Sequence, residues 1–238
     1  MNTDGLLQKI KSRGYWRVEI RPTKFEKLRI PTLSKAQEVV KSCIVTLSGW
    51  DYPHWNDKNA KNMEDWVESW EDWRQYIEYW RFYRSGKFIH SFALHEDYTD
   101  MEKALPVRYP PRPKRSGYLA FISATYRVTE VFEFAARLAN KGVLNPAAFV
   151  SIGLHNVKDH QLTAFDASRS LALSDDYVHT TDSPIVIERE IPNHDLIAKN
   201  DEFALDYIVE MFERFQWNNP PRQVLIEAQK KLRTFRLK

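Results

Sequence analysis

Residues 66–94 have the sequence WVESWEDWRQYIEYWRFYRSGKFIHSFAL, and we predict that the rest of the chain is organised around this stretch. Four of the eight tryptophans lie in it, and two more, Trp50 and Trp55, lie shortly before it. Its first part has apolar residues spaced four, three and four apart, which places them on one face of a helix. These residues are Trp66, Trp70, Trp73 and Ile77. Asn62 is a suitable N-cap, so a helix is predicted here.

The second part of the stretch, from Tyr76 onward, is rich in aromatic and β-branched residues and is interrupted by the sequence RSGK at 84–87. This pattern predicts two antiparallel strands joined by a tight turn. With a two-residue loop, Tyr83 is expected opposite Phe88 and Arg81 opposite His90, because opposed residues share a face. The hairpin is then either central in a sheet covered on both sides, or keeps one face for a partner.

The composition bounds the class of protein. The 238 residues are 43% hydrophobic and 28% charged, which is enough for a sizeable core. Glycine is sparse and no glycine-rich phosphate loop occurs, which argues against a nucleotide-binding fold. No run is long enough to span a bilayer, and the first residues lack the apolar core of a signal peptide. The single Cys43 fits a reducing compartment. We expect a cytoplasmic protein with no membrane partner.

Periodicity along the remaining chain predicts both strands and helices. Strands are expected at 15–21, 149–154, 162–165 and 184–190, and helices at 32–47, 117–140, 200–215 and 220–232. The prolines at 110, 111 and 113 favour a stiff, extended linker. The predicted fold class is α+β: an aromatic-rich N-terminal sheet-and-helix part, a long central helix, a small second sheet and a C-terminal helical pair. The expected domains are residues 1–113 and 114–238.

Aromatic and cationic side chains of the hairpin, together with the basic linker, form the candidate binding surface. Single-stranded bases stack on aromatic rings while phosphates contact cations, and the same residue types are enriched in protein interfaces. We therefore expect a non-catalytic interaction or accessory subunit whose partner is a protein, a second copy of the chain, or nucleic acid. The residues assigned to this surface are Tyr79, Arg81, Tyr83, Arg84, Lys87, Phe88, Arg108, Arg112, Lys114 and Arg115.

The chain carries no recognisable catalytic signature, so no catalytic residue, metal ligand or cofactor is assigned. No histidine pair has helical metal-binding spacing, and there is no cysteine pair for zinc. The alternative hypothesis is a metal-dependent, nuclease-like hydrolase in the second half, where carboxylates would hold the cation. It uses His155, Asp159, Asp166 and Glu188. Asp51 and His54, in a tryptophan-rich loop, are either an acid–base or ligand pair, or structural groups that cap and pack that turn.

Overall fold

The computed structural model describes residues 3–99, 113–164 and 173–234. Within these ranges the chain forms a large antiparallel sheet, five α-helices and a small second sheet, which confirms the predicted α+β class. The helices are α1 (Thr3–Lys11), α2 (Leu33–Cys43), α3 (Phe121–Asn140), α4 (Asn193–Glu213) and α5 (Arg222–Thr234), with a short 3-10 helix at His95–Tyr98. The strands are β1 (Tyr15–Pro22), β2 (Lys61–Asn62), β3 (Trp66–Trp73), β4 (Tyr76–Tyr83), β5 (Phe88–Ala93), β6 (Gly117–Ala120), β7 (Ala147–His155), β8 (His160–Thr163) and β9 (Ile185–Pro192).

The large sheet has seven strands in the order β2-β3-β4-β5-β1-β7-β9, and every neighbouring pair is antiparallel. The small second sheet consists of β6 and β8, which run parallel. Because β1 pairs with both β5 and β7, the large sheet takes strands from both sides of the boundary predicted at residue 113. Among the described residues, no helix is both long and apolar enough to cross a bilayer.

The two faces of the large sheet have different surroundings. The inner face carries alternate apolar residues such as Trp16, Val18 and Phe82, which belong to one core together with residues of α2, α3 and α4. The outer face is covered at one end by α1, whose Leu6 and Ile10 pack in a second, smaller cluster. Since β-strand side chains alternate between faces, each strand residue can be assigned to one of these environments.

The helix predicted from Asn62 through the tryptophan-rich segment is wrong: residues 66–73 form strand β3, and Asn62 ends strand β2. Trp66 and Trp70 are an even number of residues apart, so they share a face in a strand as well as in a helix. Eight backbone pairings with β4, from Trp66 opposite Tyr83 to Trp73 opposite Tyr76, decide between the two structures. Backbone pairing with the next strand thus overrides the helical periodicity of the segment.

The predicted hairpin at 76–94 is present, but its predicted register is wrong by one residue. Phe82 lies opposite Phe88 and Trp80 opposite His90. The loop has three residues rather than two, and Gly86 adopts φ +85°, as the last position of such a loop requires. A one-residue shift moves side chains to the other face, so Phe88 joins the inner face and is separated from Tyr79, Arg81 and Tyr83.

The small second sheet has other members than the sequence predicted. Two of the three predicted strands join the large sheet as β7 and β9, and only the middle one, as β8, belongs to the small sheet. Its partner β6 consists of residues that were predicted to begin the long helix, so α3 starts at Phe121. Helix α4 starts at Asn193 rather than Asn200, with a non-helical residue at Lys199.

Candidate functional site

A cavity of about 210 Å³ lies between the inner face of the sheet and helix α3. Its aromatic walls come from β1, β4, β5 and the loop that follows α2. These rings belong to Trp16, Trp50, Tyr76 and Phe92. Its polar walls come from α3 and the 3-10 helix, and they include the ionisable side chains of His95, Glu96, Arg127 and Glu130.

The loop between α2 and β2 supplies one wall of this cavity. Backbone hydrogen bonds in both directions between Val45 and Tyr52, each 2.8 Å long, close the loop on itself. The Trp50 ring stacks on His54 and on Tyr76, with 4.2 Å between ring centroids in each case. The tryptophan-rich loop that contains Asp51 and His54 therefore forms one wall of the cavity, and the stacking of Trp50 on Tyr76 connects this loop to β4.

A buried carboxylate and imidazole lie behind the cavity. Glu78 accepts hydrogen bonds from the Trp50 indole (2.7 Å) and from the His54 backbone N–H (3.3 Å). His90 Nε2 lies 3.0 Å from Glu78 Oε2. Burial raises the pKa of Glu78, but His90 and the donated hydrogen bonds outweigh it and lower that pKa below its ordinary value. Burial lowers the pKa of His90. At neutral pH, Glu78 is therefore ionised.

A second cavity of about 10 Å³, enough for one water molecule, adjoins this pair. The Tyr52 hydroxyl and the Nδ1 atom of His90 are buried without a hydrogen-bond partner among the described residues. Burial also raises the pKa of Tyr52 well above its ordinary value. Arg127 and His95 line both cavities. The two cavities are thus neighbours, and polar atoms with unused hydrogen-bonding capacity surround the smaller one.

Glu96, on the wall of the larger cavity, is an acid with a strongly raised pKa. Its side chain is buried in the 3-10 helix, and Oε1 accepts a hydrogen bond of 3.1 Å from the Ala120 backbone N–H. Burial raises the pKa of Glu96 to about 7, because it outweighs the hydrogen bonds that favour the charged form. A carboxyl group with such a pKa can both give and take a proton at neutral pH, as a general acid–base catalyst must.

Helix α3 brings a second acid and the cation of the site. Arg127 Nη1 lies 3.1 Å from Glu130 Oε2, one turn along the helix, and the Ser48 backbone N–H donates to Glu130 Oε1 at 3.1 Å. Burial raises the pKa of Glu130. The Arg127 guanidinium also lies over the Phe92 ring, 5.8 Å from its centroid. Glu130 therefore fixes one edge of the guanidinium in place.

His95 adds a neutral imidazole to the same wall. Its ring meets Tyr76 edge to face at 4.8 Å. Burial, and then the charge of Arg127, lower the pKa of His95 to about 3. At neutral pH the imidazole is uncharged, so it can accept as well as donate a hydrogen bond. The cavity thus offers a fixed cation, an acid that titrates near pH 7 and a neutral imidazole.

The hairpin residues predicted to bind a partner are divided between the interior and the surface. Phe88 is fully buried in the core, and Tyr79 is buried and donates a 2.7 Å hydrogen bond to Glu68. Arg81, half-buried on the outer face, lies 3.3 Å from the same carboxylate. Tyr83 is half-buried on that face as well.

The predicted cationic residues lie in several places. Arg84 donates to the backbone carbonyls of Ile30 and Pro31, and Lys87 lies 3.0 Å from the Glu19 carboxylate. Lys114 is exposed. Arg115 pairs with Asp159 at 3.2 Å and donates to the Asp175 carbonyl at 2.9 Å. Arg108 and Arg112 lie outside the described residues.

The residues of the predicted hydrolase site are engaged elsewhere. His155 stacks on Tyr15 at 4.7 Å, Asp159 pairs with Arg115, and Glu188 accepts a 3.0 Å hydrogen bond from Ser151. Asp166 lies outside the described residues. In the described parts of the chain, no group of three or more His, Cys, Asp or Glu side chains could hold a metal ion.

Sequence reasoning did not assign a site role to the polar residues that line the two cavities. These are Glu78, His90, His95, Glu96, Arg127 and Glu130. One signal was present: Glu130 falls within the apolar stripe that predicted the long helix, close to Val128 and Phe132. A charged residue inside such a stripe is rarely buried unless it is paired. Glu78 and Glu96 gave no comparable signal. Assigning Glu78 to a strand does not show which face of the sheet is covered, and the sequence around Glu96 has no apolar periodicity that would indicate burial.

The protein is thus an α+β protein with a cavity between a large antiparallel sheet and helix α3, and several side chains on the wall of this cavity are ionisable. Comparison with known proteins gave no match: no protein-family model, no characterised protein and no solved structure is significantly similar to this chain.

Proposed function

We propose that the protein binds a small polar molecule in the cavity under α3 and exchanges a proton with it through Glu96. The observation that carries this proposal is a buried carboxyl group with a pKa of about 7 on the wall of a cavity of about 210 Å³. Strongly perturbed acids in clefts are typical of functional sites. We place this role in the cytoplasm, a proposal supported by the single, buried Cys43.

Each polar wall residue has a distinct role in this proposal. Arg127 binds an electronegative group of the ligand through the guanidinium edge that Glu130 leaves free, and Glu130 keeps the guanidinium in position. Glu96 gives or takes the proton. The aromatic walls exclude bulk water, which strengthens the electrostatic contacts inside.

The size of the cavity limits the ligand. Pockets for drug-sized ligands usually measure about 300–1,000 Å³. A cavity of about 210 Å³ is smaller and suits a small metabolite rather than a nucleotide. We therefore expect ligands with one electronegative group for Arg127 and one exchangeable proton for Glu96.

A screen of small carboxylic acids, amides and phenols, followed by the fluorescence of Trp50 and its neighbours, tests the proposal. Binding should change around pH 7, where Glu96 titrates, and Glu96→Gln should remove this pH dependence. Glu202→Gln, which changes an exposed carboxyl group on α4, is the matched control and should bind like the wild type. Binding that keeps the same midpoint near pH 7 in Glu96→Gln would contradict the assignment of Glu96.

We also propose, independently of the cavity, that the outer face of the sheet is an interaction surface and that the chain works as an accessory subunit. The specific observation in favour is that Arg81, Tyr83 and Lys87 are half-buried on that face rather than packed in the core. Aromatic and arginine side chains in such positions are typical of interfaces with protein or nucleic acid. Loss of partner binding on replacing Arg81 and Lys87 with Ala, without loss of fold, is the expected result.

A further inference from the structure

A row of aromatic and cationic side chains crosses the outer face at the end of the sheet opposite α1. Trp66 on β3 lies opposite Tyr83 on β4, and the Tyr83 backbone N–H donates to the Lys87 carbonyl at 2.8 Å. Beyond Lys87, Arg21 on β1 lies opposite Phe149 on β7. Because directly opposed residues share a face, these five side chains form one continuous row, which we call the cross-sheet row.

The side chains of the cross-sheet row are partly accessible to solvent, and the row is long enough to contact several units of a linear polymer. All five of its side chains are half-buried rather than buried. It spans four strand spacings of about 4.8 Å, or about 19 Å in all. Helix α1 packs on Ile77 and Tyr79, toward the other end of the outer face. The row is therefore a partly exposed stripe on the surface of the sheet rather than a pocket.

The rings and cations of this row are arranged as stacking platforms. The Arg21 guanidinium lies over the Phe149 ring, 4.1 Å from its centroid, and the Arg81 guanidinium lies over Trp66 at 5.0 Å. Unpaired bases stack on aromatic rings and on guanidinium planes alike. Bases in a duplex present their faces to one another, so such platforms favour a single strand.

The charges near the row determine where a phosphate backbone would lie. Glu19 lies 3.0 Å from Lys87 and 3.2 Å from Arg21, so a phosphate would compete with this carboxylate for both cations. Beyond the row, Glu188 and Glu190 are exposed on β9 and repel phosphate. The loop after β1 carries the exposed Lys24, Phe25, Glu26 and Lys27, with 76% of the Phe25 surface accessible. Lys27 lies 3.8 Å from the Asp65 carboxylate, so among the described residues Lys24 is the cation of this run that is not paired in this way.

We infer that the cross-sheet row binds single-stranded nucleic acid. The bases stack on the Tyr83 ring and on the guanidinium planes that Arg21 and Arg81 hold over Phe149 and Trp66, and the backbone is directed toward the loop after β1. This inference rests on the interaction role proposed above for the outer face, and it is independent of the cavity. Stacking supplies most of the affinity, because the nearby carboxylates offset part of the positive charge. Binding is therefore tolerant of sequence.

Fluorescence anisotropy with labelled ten-nucleotide oligo-dT and oligo-U, and with a duplex of the same length, tests the inference on the full chain. Single strands should bind more tightly than the duplex. With about three phosphate contacts, the logarithm of the binding constant should fall with the logarithm of salt concentration with a slope of about −2. Lys87→Gln should make that slope less steep by about 0.7.

The double variant Tyr83→Ala/Phe149→Ala should weaken single-strand binding at least about tenfold, since it removes two rings that support stacked bases. Trp73→Ala is the matched control, because Trp73 is exposed but lies at the other end of β3. Circular dichroism verifies that each variant is folded. Equal weakening by the control, or no binding at low salt, would overturn the inference.

Sedimentation velocity on the same samples separates this inference from the interaction role on which it rests. Self-association that the double variant abolishes, in a protein that binds no oligonucleotide, would overturn the nucleic-acid inference and leave the interaction role intact. Absence of both oligonucleotide binding and self-association would count against the two proposals together. Binding of single strands by a monomer supports both.

Discussion

Replacing Glu96 with Gln tests the central electrostatic feature of the cavity, a carboxyl group that stays protonated near neutral pH. The pKa of Glu96 is raised from an ordinary 4.5 to about 7 in the folded protein. A tenfold change in an ionisation equilibrium corresponds to about 1.4 kcal/mol, so this difference amounts to about 3 kcal/mol. Gln has nearly the same shape, keeps the oxygen that accepts from Ala120, and carries no titrating proton.

The sign of the effect follows from which state loses the proton first. Below pH 4.5 the carboxyl group is protonated in both the folded and the unfolded chain. Between pH 4.5 and 7 the unfolded chain ionises while the folded chain does not, so the free energy of unfolding falls as the pH rises. Above pH 7 both states are ionised and the contribution of Glu96 is constant. The stability of Glu96→Gln relative to the wild type should therefore rise by about 3 kcal/mol across this window.

Urea denaturation of both proteins at intervals from pH 4.5 to pH 8 measures the difference directly. Subtracting the wild-type curve cancels the other titrating groups, which the two proteins share. Glu202→Gln, at an exposed position, should give a curve parallel to the wild type. If Glu96→Gln also runs parallel to the wild type over the whole range, the carboxyl group is ionised in the folded protein and its proposed acid–base role is wrong.

Two further predictions test the corrected hairpin register, both by urea denaturation. Phe88→Ala should lower the free energy of unfolding by about 3–5 kcal/mol, the cost typical of a buried aromatic residue. Ile89→Ala, on the half-buried outer face, should lower it clearly less, and a larger loss for Ile89→Ala than for Phe88→Ala would favour the register predicted from the sequence. Gly86→Ala should lower the free energy of unfolding by about 1–2 kcal/mol, because Gly86 has φ +85° and a methyl group there would lie 3.1 Å from the Val143 carbonyl oxygen. Unchanged stability of this variant would argue against a three-residue loop.

The fold class could be predicted because most elements carry their own periodicity. Strand β1 alternates apolar and charged residues, and it appears within one residue of the predicted bounds. Helix α3 has an apolar stripe over most of its length, and only its first turn was assigned incorrectly. Immediately before α3, residues 117–120 form strand β6 and pair with β8, a contact across more than 40 residues that no local pattern encodes.

The hairpin register shows why strand pairing is harder to predict than strand existence. The sequence RSGK at 84–87 is compatible with a loop of two or of three residues. A two-residue type I′ loop needs a positive φ at both Ser85 and Gly86, whereas the three-residue loop needs it only at Gly86. The structure has the three-residue form, in which Arg84 also bonds to the carbonyls of Ile30 and Pro31. The deciding contacts thus come from the loop after β1, which the hairpin sequence does not contain.

The cavity could not be predicted from the sequence either, because its polar residues come from segments that are far apart in the chain. Glu78 is on β4, Glu96 follows β5, and Arg127 and Glu130 are on α3, so their proximity depends on how the sheet and helix pack. Each of these residues alone is typical of a solvated position. What distinguishes them is that the chain buries all three carboxyl groups, which costs stability unless they are paired or protonated. Pairing with Arg127 reduces the cost of burying Glu130, and protonation reduces the cost of burying Glu96. The same raised pKa allows Glu96 to exchange a proton near neutral pH.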